Sequence, residues 1–345
     1  MIVTSKSNEL LIRTGKNESL EKYFNDIFKR LPKNTQRAFN STYRSYAFFC
    51  SVNNLVSFSE SMSVTEDSLK KYVTSMCESQ LSFKTVKTRI SILSKLISLA
   101  ELKNPIRESE YLKDFIRLEL QEFDIYNRAK QAPALRLEDL EKINSSVIPE
   151  NLLDIRDLAL INAMFDGLLR ADDVARVQIK HVDFKKNRLL VEKSKNDQAG
   201  IGSYRYISDV TLSYISDYLT EANEGKEKND PRSITKGILF RAISPKGTSL
   251  KNYDESVTRT GLMTKLNYTT IYRAIKRIAQ KADVDFDISG HSMRVGGAVS
   301  LAEDGQSILD IKNAGGWKSD TQPARYIEQA RIENGMSVLA RKNGR

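Results

Sequence analysis

The sequence predicts a mainly α protein, in which an all-helical N-terminal bundle precedes a mixed α/β domain of mostly helices with a small antiparallel sheet. In the first 130 residues, apolar side chains recur at helical spacing and no segment alternates as a strand does. In the second half, helical segments flank three short β-prone stretches separated by turn residues. A length of 345 residues and an apolar fraction of 40% suit two domains with a core each.

Four helices are predicted within the N-terminal domain, residues 1–128. They cover Thr35–Val52, Val64–Cys77, Ser82–Leu99 and about Glu108–Phe123. Asn34 or Thr35 provides a start signal for the first, and Pro105 follows the end of the third. Cys50 and Cys77 fall inside these helices without CxxC spacing, which predicts buried free thiols in a reducing compartment.

Residues 129–136, with Pro133 among them, are predicted to form an interdomain linker, and residues 137–345 the second domain. Strands are predicted at Val182–Phe184, Arg188–Glu192 and Tyr204–Ile207. Helices are predicted at Asp154–Leu169, Leu212–Ala222, Thr269–Lys281, His291–Ala302, Ser307–Asn313 and Pro323–Ala330, with a short one after Arg170 and an apolar-faced one in the C-terminal tail.

The net charge of +10 favours a polyanionic partner, and two windows concentrate it. Acidic residues are absent from Ile27–Ser59 and from Ser79–Ala100, although both windows contain lysines and arginines. The charge alone fits either a nucleic acid or an anionic membrane. A solvated helix face usually mixes both signs, so these two helices are predicted to face phosphates. The candidate DNA-binding residues are Gln36, Arg37, Asn40, Arg44, Lys84, Lys87, Thr88 and Arg89. The sequence has no run of 18 apolar residues, so no membrane span is predicted.

The last fifth of the chain carries a set of side chains suited to phosphodiester chemistry. His291 and Arg294 are three residues apart at the start of a predicted helix and therefore share one face. Trp317, the only tryptophan, follows a glycine pair, and Tyr326 comes nine residues later. An arginine grips phosphate oxygens, histidine and tryptophan donate hydrogen bonds, and a phenol can become a covalent nucleophile.

The motifs resemble those of the tyrosine recombinase family, and within it the Cre-type enzymes of phages and plasmids. They are Leu-Leu-Arg170-Ala-Asp-Asp173, Lys195 in Lys-Ser-Lys-Asn, Ser-Gly-His291-Ser-Met-Arg294-Val-Gly, Ala-Gly-Gly-Trp317, Arg-Tyr326 and Arg-Ala-Lys130-Gln-Ala. The resemblance runs from about Asn34 to the C-terminus. It implies a SAM-like N-terminal bundle that binds DNA, a C-terminal catalytic domain, and a linker that crosses the DNA backbone, where Lys130 is a candidate contact. The residues of the linker fit an ordinary connection without DNA contacts equally well.

The resemblance also implies a role for each residue. The catalytic set is Arg170, Asp173, Lys195, His291, Arg294, Trp317 and Tyr326. Taken alone, Arg170 is better explained as a surface arginine paired with Asp172 or Asp173, and it is assigned to catalysis because His291, Arg294 and Tyr326 accompany it. Lys195 would protonate the leaving 5′ oxygen, with Lys193 as the alternative. Neither a metal nor another cofactor is expected.

The implied function is site-specific recombination between two DNA sites with inverted arms, through a 3′-phosphotyrosine bond and a Holliday junction. The expected partners are double-stranded DNA and three further copies of the chain, and the expected location is the cytoplasm of a bacterium. Two alternatives stand: a type IB topoisomerase-like DNA-relaxing enzyme, and a non-catalytic architectural DNA-binding protein.

Overall fold

The computed structural model describes residues 18–124, 132–192, 202–227, 233–244, 247, 250, 265–284 and 286–333. It divides the chain into two compact units, Met1–Lys130 and Gln131–Arg345. The first unit is helical where it is described, and the second contains helices and one three-stranded antiparallel sheet. The predicted fold class is therefore confirmed. Among the described helices, none has both the length and the apolarity needed to cross a bilayer.

In the first unit, amphipathic helices pack their apolar faces together. The helices are α1 (Glu18–Lys22), α2 (Lys33–Val52), α3 (Met62–Glu78), α4 (Phe83–Leu99), α5 (Pro105–Glu108) and α6 (Glu110–Asp124), with a π turn (Tyr23–Ile27) and a 3₁₀ turn (Phe28–Arg30) after α1. The Ser82 hydroxyl caps α4 by accepting the Thr85 backbone N–H at 3.2 Å. Cys50 and Cys77 are buried free thiols, as predicted.

In the second unit, helices surround the almost entirely buried helix α8. The helices are α7 (Leu137–Ser146), α8 (Leu152–Asp166), α9 (Ala171–Val174), α10 (Asp209–Asn223), α11 (Tyr268–Lys281), α12 (Ser292–Glu303), α13 (Ile308–Gly315) and α14 (Thr321–Glu333). The strands β1 (Val182–Asp183), β2 (Arg188–Val191) and β3 (Ser203–Tyr206) pair in that order, with Leu189 opposite Arg205. Helix α7 was not predicted.

Helix α8 ends at Asp166, three residues before the predicted end at Leu169. Leu168 adopts a left-handed backbone conformation with φ 46°, which a leucine rarely occupies and which no helix can contain. The chain therefore turns sharply between α8 and α9. This turn places the Leu168 carbonyl and Arg170 at the candidate site.

The described part of the predicted linker, residues 132–136, is neither helix nor strand and packs on α12. Leu135 is completely buried, and its backbone N–H donates to the Ser292 carbonyl at 3.1 Å. A side chain at Gly296 would overlap the Leu135 backbone, so the glycine permits this close approach. The predicted DNA contact Lys130 lies outside the described residues.

Candidate active site

Arg170 and Asp173 are positioned by the tight turn into α9. Arg170 precedes the first residue of α9, and the Asp173 carboxylate accepts its backbone N–H at 3.2 Å. The same carboxylate lies 3.6 Å from Arg170 Nη1 and is nearly buried, whereas the arginine side chain is about a quarter exposed. Arg170 is thus a cation that Asp173 orients and that solvent, or a ligand, can still reach.

Arg294 is held in the protein interior near the start of α12. Its side chain is 1% exposed, and its guanidinium donates to the Leu168 carbonyl and, at 2.9 Å, to the Gly315 carbonyl. Burial, followed by repulsion from the Arg170 cation, lowers the pKa of Arg294 to about 9. It therefore remains charged at neutral pH. A guanidinium has five N–H donors, so these carbonyls leave donors for a further oxygen ligand.

Trp317 and Tyr326 complete a stack on the Arg294 guanidinium. Arg294 Cζ lies 4.0 Å from the centroid of the Trp317 ring, and the Trp317 and Tyr326 rings are tilted with centroids 5.7 Å apart. Helix α13 ends at Gly315, and the next residue, Gly316, adopts φ 59° and turns the chain so that Trp317 folds back. A side chain at Gly315 would overlap the indole. The Gly315-Gly316 pair therefore permits the stack.

The phenol of Tyr326 is 3% exposed and surrounded by cations. Burial raises the pKa of Tyr326, and Arg294, Arg170 and Arg325, in that order, oppose the rise without cancelling it. In the protein without DNA, Tyr326 is therefore neutral at pH 7.

His291 lies at the head of α12, with its side chain exposed to solvent. Its backbone N–H donates to the Ser289 hydroxyl at 3.3 Å. Arg294 follows one helical turn later on α12 and is buried, so the two residues share the start of one helix. The second histidine, His181, is buried, and its Nδ1 accepts the Gln178 backbone N–H at 3.1 Å.

Lys195 and the alternative Lys193 lie outside the described residues, in the connection between β2 and β3. The structure therefore brings together Arg170, Asp173, Arg294, Trp317 and Tyr326, with His291 on the same helix as Arg294. Arg205 on β3, a buried arginine whose charge lowers the pKa of Arg294, belongs to none of the motifs found in the sequence. Its pattern was a signal: tyrosines flank it on the outward face of the strand, while the cation points inward.

The eight candidate DNA-binding residues lie on α2 and α4, neither of which contains an acidic residue. Four of them, Arg37, Arg44, Lys84 and Lys87, are exposed cations, and Thr88 is exposed beside them. Arg89 differs, because it is half-buried and its Nη1 donates to the hydroxyls of Ser45 at 3.0 Å and Tyr72 at 3.1 Å. Gln36 is also engaged, with its amide donating to the Leu31 carbonyl at 2.7 Å. Asn40 is half-buried.

Two curated proteins resemble this chain over nearly its whole length. Recombinase Cre of Escherichia phage P1 is 23% identical over 339 residues, which cover 95% of this chain and 94% of that protein. An integrase/recombinase XerD homologue of Selenomonas ruminantium is 24% identical over 342 residues, which cover 96% of this chain and 93% of that protein.

Solved structures share the fold at lower identity. The XerH site-specific recombinase bound to its palindromic difH substrate has a TM-score of 0.61 and 17% identity, covering 88% of this chain and 80% of that one. The Tn1549 transposon integrase in complex with transposon right-end DNA has a TM-score of 0.58 and 14% identity, covering 92% of this chain and 98% of that one. Residues 133–332 match the phage integrase family. The chain thus belongs to that family, the tyrosine recombinases, and is a site-specific DNA recombinase.

Proposed function

We propose that this recombinase cleaves and rejoins duplex DNA at paired palindrome-like sites, through a 3′-phosphotyrosine intermediate and a Holliday junction. The observation that carries the proposal is the buried stack of Arg294, Trp317 and Tyr326, with Arg170 close enough to affect the pKa of the phenol. A phenol surrounded by arginines is suited to attack a phosphodiester, because the arginines stabilise the negative charge that develops on the non-bridging oxygens.

In the proposed first step, the Tyr326 oxygen forms a bond to phosphorus as its proton passes to a water molecule. Arg170 and Arg294 each bind a non-bridging oxygen, and the Trp317 indole N–H and His291 donate to the same phosphate. Asp173 acts through Arg170, because its carboxylate lies 3.6 Å from Arg170 Nη1 and orients that cation.

In the same step, the bond from phosphorus to the 5′ oxygen breaks and Lys195 donates a proton to that oxygen. One phosphodiester is exchanged for another, so the 3′-phosphotyrosine bond retains the energy needed for resealing. Attack by a 5′ hydroxyl from the partner DNA then rejoins the strands and releases Tyr326. Neither ATP nor a metal is needed for these steps.

Target binding is assigned to the acid-free helices α2 and α4, with Lys130 adding a contact to the DNA backbone. We propose that each protomer binds one inverted arm, that four protomers bring two sites together, and that the C-terminal tail docks on a neighbouring protomer. The palindromic substrate of XerH supports the inverted-arm arrangement for a protein of the same fold. We propose that these reactions take place in the cytoplasm of a bacterial host.

A single assay tests the proposal. Footprinting on the DNA that flanks the gene identifies the target, and supercoiled plasmids carrying none, one or two copies are then incubated with the protein. Denaturant traps any covalent adduct. We expect recombinants only from the two-copy plasmid, with an adduct that depends on the target. Relaxation of all three plasmids would instead indicate a topoisomerase, and target binding without an adduct would indicate an architectural protein.

A further inference from the structure

Strand β3 carries a buried arginine that the proposed mechanism does not use. Arg205 is 5% exposed and lies on the inward face of the hairpin, opposite the buried Leu189 of β2. Among the described residues, its one hydrogen-bond acceptor is the Tyr204 carbonyl, at 3.0 Å from Nη1. Burying a guanidinium is costly, so the position requires a compensating contact or charge.

The compensating charge is the Asp173 carboxylate. Burial lowers the pKa of Arg205, Asp173 opposes that shift, and Arg170 adds to it. The positive charge of Arg205 also helps to lower the pKa of Arg294. Arg170, Arg205 and Arg294 therefore all interact with the buried Asp173 carboxylate, and the charge of Arg205 is part of the electrostatics of the candidate active site.

The guanidinium of Arg205 packs directly on the turn that precedes Trp317. A Cβ built on Gly316 would lie 2.8 Å from Arg205 Cζ and closer still to Nη2. The guanidinium thus occupies the space that a side chain at position 316 would fill. The preceding residue, Gly315, is held from another direction, because its carbonyl accepts a hydrogen bond from Arg294 at 2.9 Å.

We propose that Arg205 is a positioning residue for strand cleavage, which holds the Gly315-Gly316 turn so that Trp317 and Arg294 meet the scissile phosphate in the correct geometry. The inference rests on the proposed function of those two residues. It assigns Arg205 no contact with DNA. Because small displacements of positioned groups reduce rates steeply, we expect Arg205→Ala to bind target DNA normally and to form the adduct about 10²-fold more slowly.

Intrinsic fluorescence tests the contact without DNA, because Trp317 is the only tryptophan in the chain. Arg205→Ala should shift the Trp317 emission and increase its quenching by acrylamide. Arg188→Ala is the matched control on the same hairpin, since Arg188 contacts the Tyr204 ring and Asp183. Unchanged emission and quenching in Arg205→Ala would overturn the proposal.

Gly316→Ala tests the same contact from the other side, because the new methyl group must displace the Arg205 guanidinium. Gly225→Ala controls for backbone strain, since Gly225 has a similar φ of 64° and no atom within 4 Å of the added methyl. We expect Gly316→Ala to slow adduct formation, Gly225→Ala to leave it unchanged, and the double variant Gly316→Ala/Arg205→Ala to be no slower than the slower single variant. If the rate reductions of the two single variants multiply in the double variant, Arg205 acts independently of the turn, which contradicts the proposal.

A substrate with a 5′-bridging sulfur separates this role from help to the general acid. Such a leaving group needs little protonation, so it rescues only variants whose defect is in proton donation. If Arg205 holds the turn instead, the sulfur substrate should not rescue Arg205→Ala. Full rescue would show that Arg205 acts through the leaving group, against the proposal. The wild-type protein serves as the reference throughout. If it forms no adduct on its target, the proposed function fails, whereas the fluorescence comparison still tests whether Arg205 holds the turn.

Discussion

Removal of one oxygen atom from Tyr326 should abolish covalent chemistry while leaving the fold intact. The Tyr326→Phe variant keeps the ring that packs 5.7 Å from Trp317, and among the described residues the hydroxyl has no hydrogen-bond partner to lose. The free energy of unfolding should therefore change by no more than about 0.5 kcal/mol. For a unit of roughly 200 residues, this corresponds to a shift of about 2 °C or less in Tm.

The assay combines three measurements on the same preparation. Thermal unfolding gives Tm, a gel shift gives the affinity for target DNA, and denaturing electrophoresis gives the yield of protein–DNA adduct. We expect the first two to match the wild type and the adduct to be absent. Tyr272→Phe is a suitable control, because Tyr272 stacks on Tyr268 at the surface of the same unit and has no assigned role.

Two results would refute the reasoning in different ways. An adduct at the wild-type yield would transfer the nucleophile to another of the 14 tyrosines. A fall in Tm of several degrees would mean that the hydroxyl makes a stabilising interaction, and the loss of adduct could then no longer be attributed to chemistry alone.

Further substitutions test the other assigned roles. Lys195→Ala should bind target DNA and cleave at least ~10²-fold more slowly, and a 5′-bridging sulfur should rescue it but not Arg294→Ala; rescue of Lys193→Ala instead would move the general acid by two residues. Arg37→Ala should reduce the salt dependence of DNA binding by roughly one unit if Arg37 contacts phosphate, whereas an unchanged affinity at several salt concentrations would place it in solvent. Arg89→Ala should lower the free energy of unfolding by ~1–3 kcal/mol in denaturant titrations, because its guanidinium links α2 to α3; unchanged stability would contradict this structural role.

The periodicity of the sequence predicted most helices because their apolar stripes are long and regular. Helix α2, predicted from Thr35, begins only two residues earlier at Lys33 and ends at the predicted Val52. Helix α7 escaped prediction because it is only ten residues long and buries just two apolar side chains, Leu140 and Ile143. Its start is stabilised by the Asp139 carboxylate, which accepts the Arg136 backbone N–H at 2.8 Å, a capping interaction without the usual serine or threonine.

The candidate site was predictable where chemistry depends on residue type, and not where it depends on tertiary contacts. Arg170, Arg294 and the Tyr326 phenol could be named from motifs, whereas the turn at Leu168 could not. Local preference disfavours a left-handed leucine by about 1–2 kcal/mol. The hydrogen bond from the buried Arg294 to its carbonyl helps to offset this cost. A residue more than a hundred positions away therefore contributes to a local conformation, and no local pattern reveals it.

Burial disfavours the charged form of both central groups of the site, the phenolate of Tyr326 and the guanidinium of Arg294. It raises the pKa of Tyr326 and lowers that of Arg294 to about 9 in the protein without DNA. A bound phosphodiester would supply the counter-charge that Arg294 lacks and so raise the pKa of the guanidinium. The same anion would disfavour a free phenolate. The phenol proton is therefore expected to leave only as the bond to phosphorus forms, which would keep the nucleophile inactive until DNA occupies the site.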